Sequence, residues 1–259
     1  MLIDAVDWVL GKLDYKVIRR AEYYSLCAGG RDVDIQKDRQ FLEIFDRCKD
    51  FTMTGLERSY ALYLSVRYVV EAGIEGDLVE CGVWRGGSCM LMALTLQSLG
   101  ATDRRIYLYD TFAGLTQPTD KDVNWDNETA IDSWRQQERA DRNDWCYASL
   151  EEVQRNLHST GYPQDKLHYV RGPVEETVPG TSPDRIALLR LDTDWYESTH
   201  HLLQHFYPRL AALGVLLIDD YGHWQGAREA VDTYLAQNGL PLLLNRVDYT
   251  GRVALKPAR

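Results

Sequence analysis

From about residue 77 onward, short apolar runs alternate with longer stretches whose apolar positions recur every three or four residues. The runs at 77–81, 105–110, 167–170, 186–191, 214–218 and 242–247 have strand length and content, and 88–99, 149–159, 196–211 and 225–237 have helical spacing. Strand–helix–strand repetition predicts an α/β fold with a doubly wound, mostly parallel sheet covered on both faces. The last segments, 241–247 and 250–255, read as a hairpin that adds antiparallel edge strands. Ahead of the sheet, Val6, Val9, Leu10, Leu13 and Val17, then Phe41, Leu42, Ile44 and Phe45, lie at helical spacing with Gly29-Gly30 between them. Residues 1–50 are therefore expected to form an amphipathic helical cap on a main domain spanning 51–259. A helix over 59–72, stopped by Gly73, leads into the first strand.

Residues 115–148 break this rhythm. The stretch is long and polar, yet carries Trp125, Trp134 and Trp145. Long insertions in compact domains are usually functional, and three tryptophans argue against simple solvation. The expectation is a lid over the acceptor pocket that orders on ligand binding.

Composition narrows the class. A chain of 259 residues with 45% hydrophobic and 26% charged content is a soluble globular protein with room for a large core. The net charge of −10 disfavours nucleic acid as a partner. No apolar run reaches membrane-span length, and the Met1-Leu-Ile-Asp start lacks the features of a signal peptide. Five cysteines at irregular spacing suggest reduced thiols and a cytoplasmic protein. The amphipathic N-terminal helices predict a homo-oligomer.

The chemistry gathers at strand ends. The first strand runs into Glu80 and a glycine-rich turn, Gly82-Val-Trp-Arg-Gly-Gly87, before a helix opens at Ser88. This is how an open α/β sheet presents a nucleoside or cofactor at its carboxyl edge. The glycines do not follow the Gly-x-Gly-x-x-Gly order, which sets a dehydrogenase aside. The second strand ends in Asp110, placed to accept ribose hydroxyls. Two later strands end in paired acids, Asp192 with Asp194 and Asp219 with Asp220. Four carboxylates there repel one another unless a cation or proton is shared, and an all-oxygen set suits Mg²⁺ or another hard divalent cation. His201 and His205 share a helix face but read as packing or surface residues, whereas His223 follows the second acid pair closely enough to touch an acceptor.

Glu80-Cys-Gly-Val-Trp-Arg-Gly-Gly87, Tyr109-Asp-Thr-Phe112, Leu191-Asp-Thr-Asp194 and Asp219-Asp-Tyr-Gly222 together resemble the macrocin O-methyltransferase family, from about residue 52 to 251. The resemblance implies the sheet of the class I S-adenosylmethionine-dependent methyltransferases and an Mg²⁺-dependent transfer of methyl to a sugar hydroxyl. The sugar would be a deoxysugar, either nucleotide-linked or on an antibiotic glycoside. It implies that Met53, Thr54, Glu80, Cys81, Gly82, Val83 and Trp84 hold the methionine end of the cofactor, with Asp192 beside it. Asp110, Thr111, Phe112 and Gly114 would hold the ribose, and Gly172, Glu175 and Glu176 would lie near the adenine. Asp192, Asp219 and Asp220 would be the metal ligands. The triad is also similar to that of catechol O-methyltransferases, but the lysine base those enzymes carry after the first metal Asp is missing here. The base is then a carboxylate or histidine: Asp192 first, Asp194 second, His223 as hydrogen-bond donor or alternative. A catechol or small-phenol O-methyltransferase is the competing enzyme reading, and a non-catalytic methyltransferase-like scaffold the competing non-enzyme one.

Overall fold

The computed structural model describes residues 33–258. Residues 1–32, most of the expected cap, lie outside the described residues. The chain divides at Leu42/Glu43 into two compact units. In the first, α1 (Val33–Lys37) is followed by α2 (Arg39–Cys48), which continues into the second. Asp38 starts α2, its carboxylate accepting the Phe41 N–H at 2.9 Å.

The unit from Glu43 contains α3 (Leu56–Glu71), β1 (Asp77–Cys81), α4 (Gly87–Ser98), β2 (Ile106–Asp110), α5 (Ala130–Gln137), α6 (Leu150–His158), β3 (Leu167–Arg171), α7 (Val174–Thr177), β4 (Ile186–Leu191), α8 (Tyr196–Phe206), β5 (Leu210–Ile218), α9 (Gln225–Gln237), β6 (Asn245–Arg246) and β7 (Arg252–Leu255). The seven strands are ordered β3-β2-β1-β4-β5-β7-β6. The first five run parallel, and β7 pairs antiparallel with both β5 and β6. This is the mostly parallel α/β sheet that the strand–helix repetition predicted. The order reverses between β1 and β4, and ligands bind open α/β sheets at such a switch point, beyond the carboxyl ends of the strands.

Side-chain alternation divides the strands between two faces. Val79, Cys81, Tyr109, Leu189, Leu191, Leu216 and Ile218 join Leu202, Leu203 and Phe206 of α8 and Val231 and Tyr234 of α9 in one buried cluster. Helices α3 and α4 pack together, and α3 lies against β4 and β5. Burying two full strand faces explains why β4 is closed to solvent along its whole length.

Three boundaries differ from the sequence expectation. The helix predicted to reach 211 stops at Phe206, because Pro208 cannot donate the N–H that would continue it. β5 begins at Leu210, and its pairing with β4 is irregular between Ile186 and Leu188. The last strand predicted over 242–247 shrinks to the two residues of β6.

Candidate active site

The loops leaving β1, β2, β3, β4 and β5 converge on a cavity of about 350 Å³, joined by Met53 and Thr54 before α3 and by Trp145 from the insertion. The turn after β1 depends on left-handed backbone at Gly82 (φ 81°), Trp84 (φ 45°) and Gly86 (φ 86°). A Cβ on Gly82 would lie 1.8 Å from the Asp192 carbonyl oxygen, and one on Gly87 would lie 2.6 Å from the Phe51 carbonyl. The close approach these glycines permit is thus to the protein's own backbone. Gly82 lets the β1 and β4 loops touch, which brings Asp192 to the turn.

Asp110 holds that turn from below. Its Oδ2 accepts the N–H groups of Val83 (2.8 Å) and Trp84 (3.2 Å), and its Oδ1 accepts that of Phe112 (2.7 Å). Burial raises its pKa, opposed by these three N–H donors. A carboxylate has about four acceptor positions, so Asp110 spends most of them inside the protein. Its lone pairs are less free for ribose hydroxyls than its place at a strand end suggests.

Beneath the cavity lies a buried ion network. Glu80 and Arg190 are partners in the β1–β4 register. Arg190 Nη1 donates to Glu80 Oε1 at 2.6 Å and to Asp192 Oδ2 at 2.5 Å, and its Nη2 donates to Asp219 Oδ1 at 2.6 Å. Arg190 is 3% exposed and Glu80 is 1% exposed. The Cys89 thiol donates to the other Glu80 oxygen. Burial lowers the Arg190 pKa, but Asp192, Asp219 and Glu80 together hold it well above the ordinary arginine value. Arg58, on α3, reaches Asp219 Oδ2 and lies 2.9 Å from Asp248.

Above the network, one ligand atom each from Asp192, Asp219 and Asp220 lies within 4.8 Å of the others. Burial drives the pKa values of Asp192 and Asp220 well up; Arg190 opposes this at Asp192, while Asp194 and Asp192 add to it at Asp220. Asp194 turns back over the site in left-handed backbone (φ 65°). Its N–H donates to Asp220 and its Oδ1 accepts the Trp224 indole N–H at 2.8 Å. Burial pushes its pKa up to about 7.

The wall opposite is aromatic. Trp145, Trp195 and Trp224 meet edge to face, with ring centres 5.0 to 6.2 Å apart. The Trp195 indole donates to the Thr116 carbonyl and the Trp134 indole to the Leu115 carbonyl. Buried Asp122 accepts the Thr119 N–H and hydroxyl and the Tyr196 N–H, the first of α8. The 115–148 insertion is thus a folded element fastened to the sheet loops.

The cavity collects most of the residues expected at it: Met53, Thr54, Glu80, Gly82, Val83, Trp84, Asp110, Thr111, Gly114, Gly172, Glu175, Asp192, Asp194, Asp219, Asp220 and His223. Three lie off its wall. Strand alternation turns Cys81 into the apolar core beside Val79. Phe112 is buried, and Glu176 points to solvent one residue beyond Glu175. Arg58 and Tyr249 on the wall, and Arg190 beneath it, escaped the sequence reading, whereas Trp145 arrives with the insertion expected to cover the pocket. Arg190 carried a signal, since an arginine inside an otherwise apolar, fully buried strand must be paired. It also shares a strand face with Asp192, two residues on.

The model of the macrocin O-methyltransferase (TylF) family matches residues 34–256. The chain belongs to the macrocin O-methyltransferase family. Among its relatives, a tetracenomycin 4'-O-methyltransferase of Streptomyces olivaceus, named for a dimethoxy-rhamnosyl substrate, is 36% identical over 77% of this chain and 73% of its own. Mycinamicin III 3''-O-methyltransferase of Micromonospora griseorubida is 34% identical over 77% of this chain and 76% of its own. The solved O-methyltransferase NovP superposes with a TM-score of 0.69 at 32% identity, covering 80% of this chain and 82% of its own. Family and fold together make this chain a methyltransferase of the S-adenosylmethionine-dependent type.

Proposed function

We propose that this protein moves a methyl group from S-adenosylmethionine to a hydroxyl of a deoxysugar, nucleotide-linked or on an antibiotic glycoside, with Mg²⁺ at the carboxylate cluster. The observation that carries the reading is the meeting of Asp192, Asp219 and Asp220 at the floor of the cavity. Five carboxylates (Glu80, Asp192, Asp194, Asp219 and Asp220) gather there with two guanidiniums, Arg58 and Arg190, and Arg58 is shared with Asp248. The donor set is all oxygen and its charge is in excess, which fits a hard divalent cation. Asp192, Asp219 and Asp220 would hold it; when bound, it makes a sugar hydroxyl more acidic and fixes its position.

The cofactor supplies an electrophilic sulfonium methyl. Met53, Thr54 and the 82–84 turn would hold its methionine end, Thr111 and Gly114 its ribose, and Gly172 and Glu175 its adenine. Asp194 serves best as base. Asp192 Oδ2 is tied to Arg190, whereas Asp194 pairs with no arginine and has a pKa near neutrality. It takes the hydroxyl proton as the sugar oxygen bonds to the methyl carbon and the sulfur–methyl bond breaks. His223, whose pKa burial lowers, stands edge-on to Trp224 and Tyr249 and is placed to hydrogen-bond the acceptor in its neutral form. The insertion and its tryptophans act as a lid that keeps water from the sulfonium. The sequence relative named for a rhamnosyl-bearing substrate supports this acceptor class.

The test is transfer of labelled methyl, with Mg²⁺ present, to three acceptor sets: nucleotide-linked deoxysugars, deoxysugar glycosides and catechols. Labelled sugar in either of the first two supports the reading. Labelling of catechols alone replaces it with the phenol enzyme.

A further inference from the structure

The methionine end of the proposed cofactor site has two walls from separate stretches of chain: Thr52, Met53 and Thr54 on one side, Gly82, Val83, Trp84 and Ser88 on the other. They touch where Gly87 has no side chain, since a Cβ there would lie 2.6 Å from the Phe51 carbonyl and 2.7 Å from Thr52 Cβ. The polar contact between the walls is weak, with Thr54 Oγ1 3.5 Å from Ser88 Oγ.

Arg85 supplies the fastening from behind. Its Nη1 donates to the Asp50 carbonyl at 2.8 Å. Its guanidinium lies 5.1 Å from the centre of the Phe51 ring and 5.7 Å from that of Trp84. Its Nε donates to Glu152 Oε1 on α6 at 2.6 Å, and its carbonyl accepts the Asn156 side-chain N–H at 2.9 Å. One planar cation thus bonds to two segments and lies against two rings, a geometry that a lysine cannot copy. Trp84 stands beside it in left-handed backbone, which persists only where the surroundings hold it. Arg85 is 36% exposed and Glu152 is 30% exposed. An ion pair this open adds little to stability, so what the network contributes is the placement of the two walls.

We infer that Arg85 is a positioning residue for the cofactor: it holds the 52–54 segment against the 82–84 turn, so that the site is formed before S-adenosylmethionine arrives. The inference rests on the cofactor placement proposed above. A site already formed binds without the cost of ordering its walls. Without Arg85 the competent arrangement is populated only part of the time, and apparent affinity falls by that fraction. Once the cofactor is bound the walls are back in place, so the loss falls on binding and not on the chemical step.

The test is calorimetric titration with S-adenosylhomocysteine, alongside urea unfolding. Arg85→Ala should weaken binding about tenfold or more, as a mostly open site requires, with the unfolding midpoint close to that of wild type. Arg85→Lys should recover a minor part, because an ammonium that meets Glu152 cannot also reach the Asp50 carbonyl and cover both rings. In turnover, KM for S-adenosylmethionine should rise by the same factor while kcat stays close to wild type. Trp84→Ala, on the wall itself, is the reference and should also weaken binding. Wild-type affinity in Arg85→Ala beside a loss in Trp84→Ala overturns the positioning role and leaves the cofactor placement standing. Wild-type affinity in both overturns the placement as well. Full rescue by Arg85→Lys would reduce the role to charge, and a fall in the unfolding midpoint that accounts for the lost affinity would make it structural; either overturns the inference.

Discussion

Arg190 on β4 faces Glu80 on β1 across the central strand pair, its Nη1 2.6 Å from Glu80 Oε1, with both side chains closed to solvent. The same guanidinium reaches Asp192 and Asp219, so one buried cation spaces three acids at the sheet's switch point. The cavity floor is thus fixed from within the sheet as well as by its loops.

Removing that cation leaves three carboxylates facing one another in a low-dielectric site. Arg190→Met should cost about 3–5 kcal/mol of stability, the scale found when one partner of a buried pair is deleted. Urea unfolding would measure it. Arg190→Lys should recover only part of the loss, because a single ammonium cannot bridge three carboxylates as a planar fork does. A wild-type midpoint for Arg190→Met would show that the network does not support the fold.

Gly82→Ala tests the contact between loops. The new Cβ would collide with the Asp192 carbonyl at 1.8 Å, at a backbone angle L-residues rarely adopt. The β4 loop must move, and a displacement near 1 Å at a reacting group costs about a hundredfold in rate. The expected result is a kcat loss of that order, read by labelled-methyl turnover.

Asp122→Ala should loosen the insertion. It removes the acceptor of two N–H donors and a hydroxyl; exposed Thr119 can turn its donors to water, so the main cost is the Tyr196 N–H, about 1–3 kcal/mol when left unpaired. Limited proteolysis is expected to cut within 115–148 far sooner than in the wild type, while cofactor affinity changes little. Unaltered cleavage would mean that other contacts hold the segment.

Much of this site could be read from the chain because strand ends in an open α/β sheet have predictable positions. Glu80, Asp110, Asp192 and Asp219 each end or follow an apolar run, and the topology then brings them together. What stayed hidden depends on register and on long-range packing. Arg58 comes from a helix far earlier in the chain, and Tyr249 reaches the wall from the turn before β7. Cys81 was misplaced for a simpler reason: alternation along β1 turns it away from Glu80's face. The helix predicted through 211 overran because apolar spacing continues past Pro208.

Asp194→Asn keeps the shape and removes the base. A kcat loss of about 10²–10⁴ is expected, the usual worth of a positioned general base, with KM within a few-fold of wild type. His223→Ala should instead raise KM more than it lowers kcat. A reversal of these two patterns would transfer the base role to His223.

The most direct measurement is methyl transfer from labelled S-adenosylmethionine to a deoxysugar acceptor, in excess chelator and after Mg²⁺ is restored, for wild type and Asp220→Ala. Wild type should lose turnover to the chelator and regain it with Mg²⁺, while Asp220→Ala stays inactive in both and still binds S-adenosylhomocysteine. Full wild-type turnover in chelator would contradict the assignment of the Asp192, Asp219 and Asp220 cluster as the metal centre of this reaction.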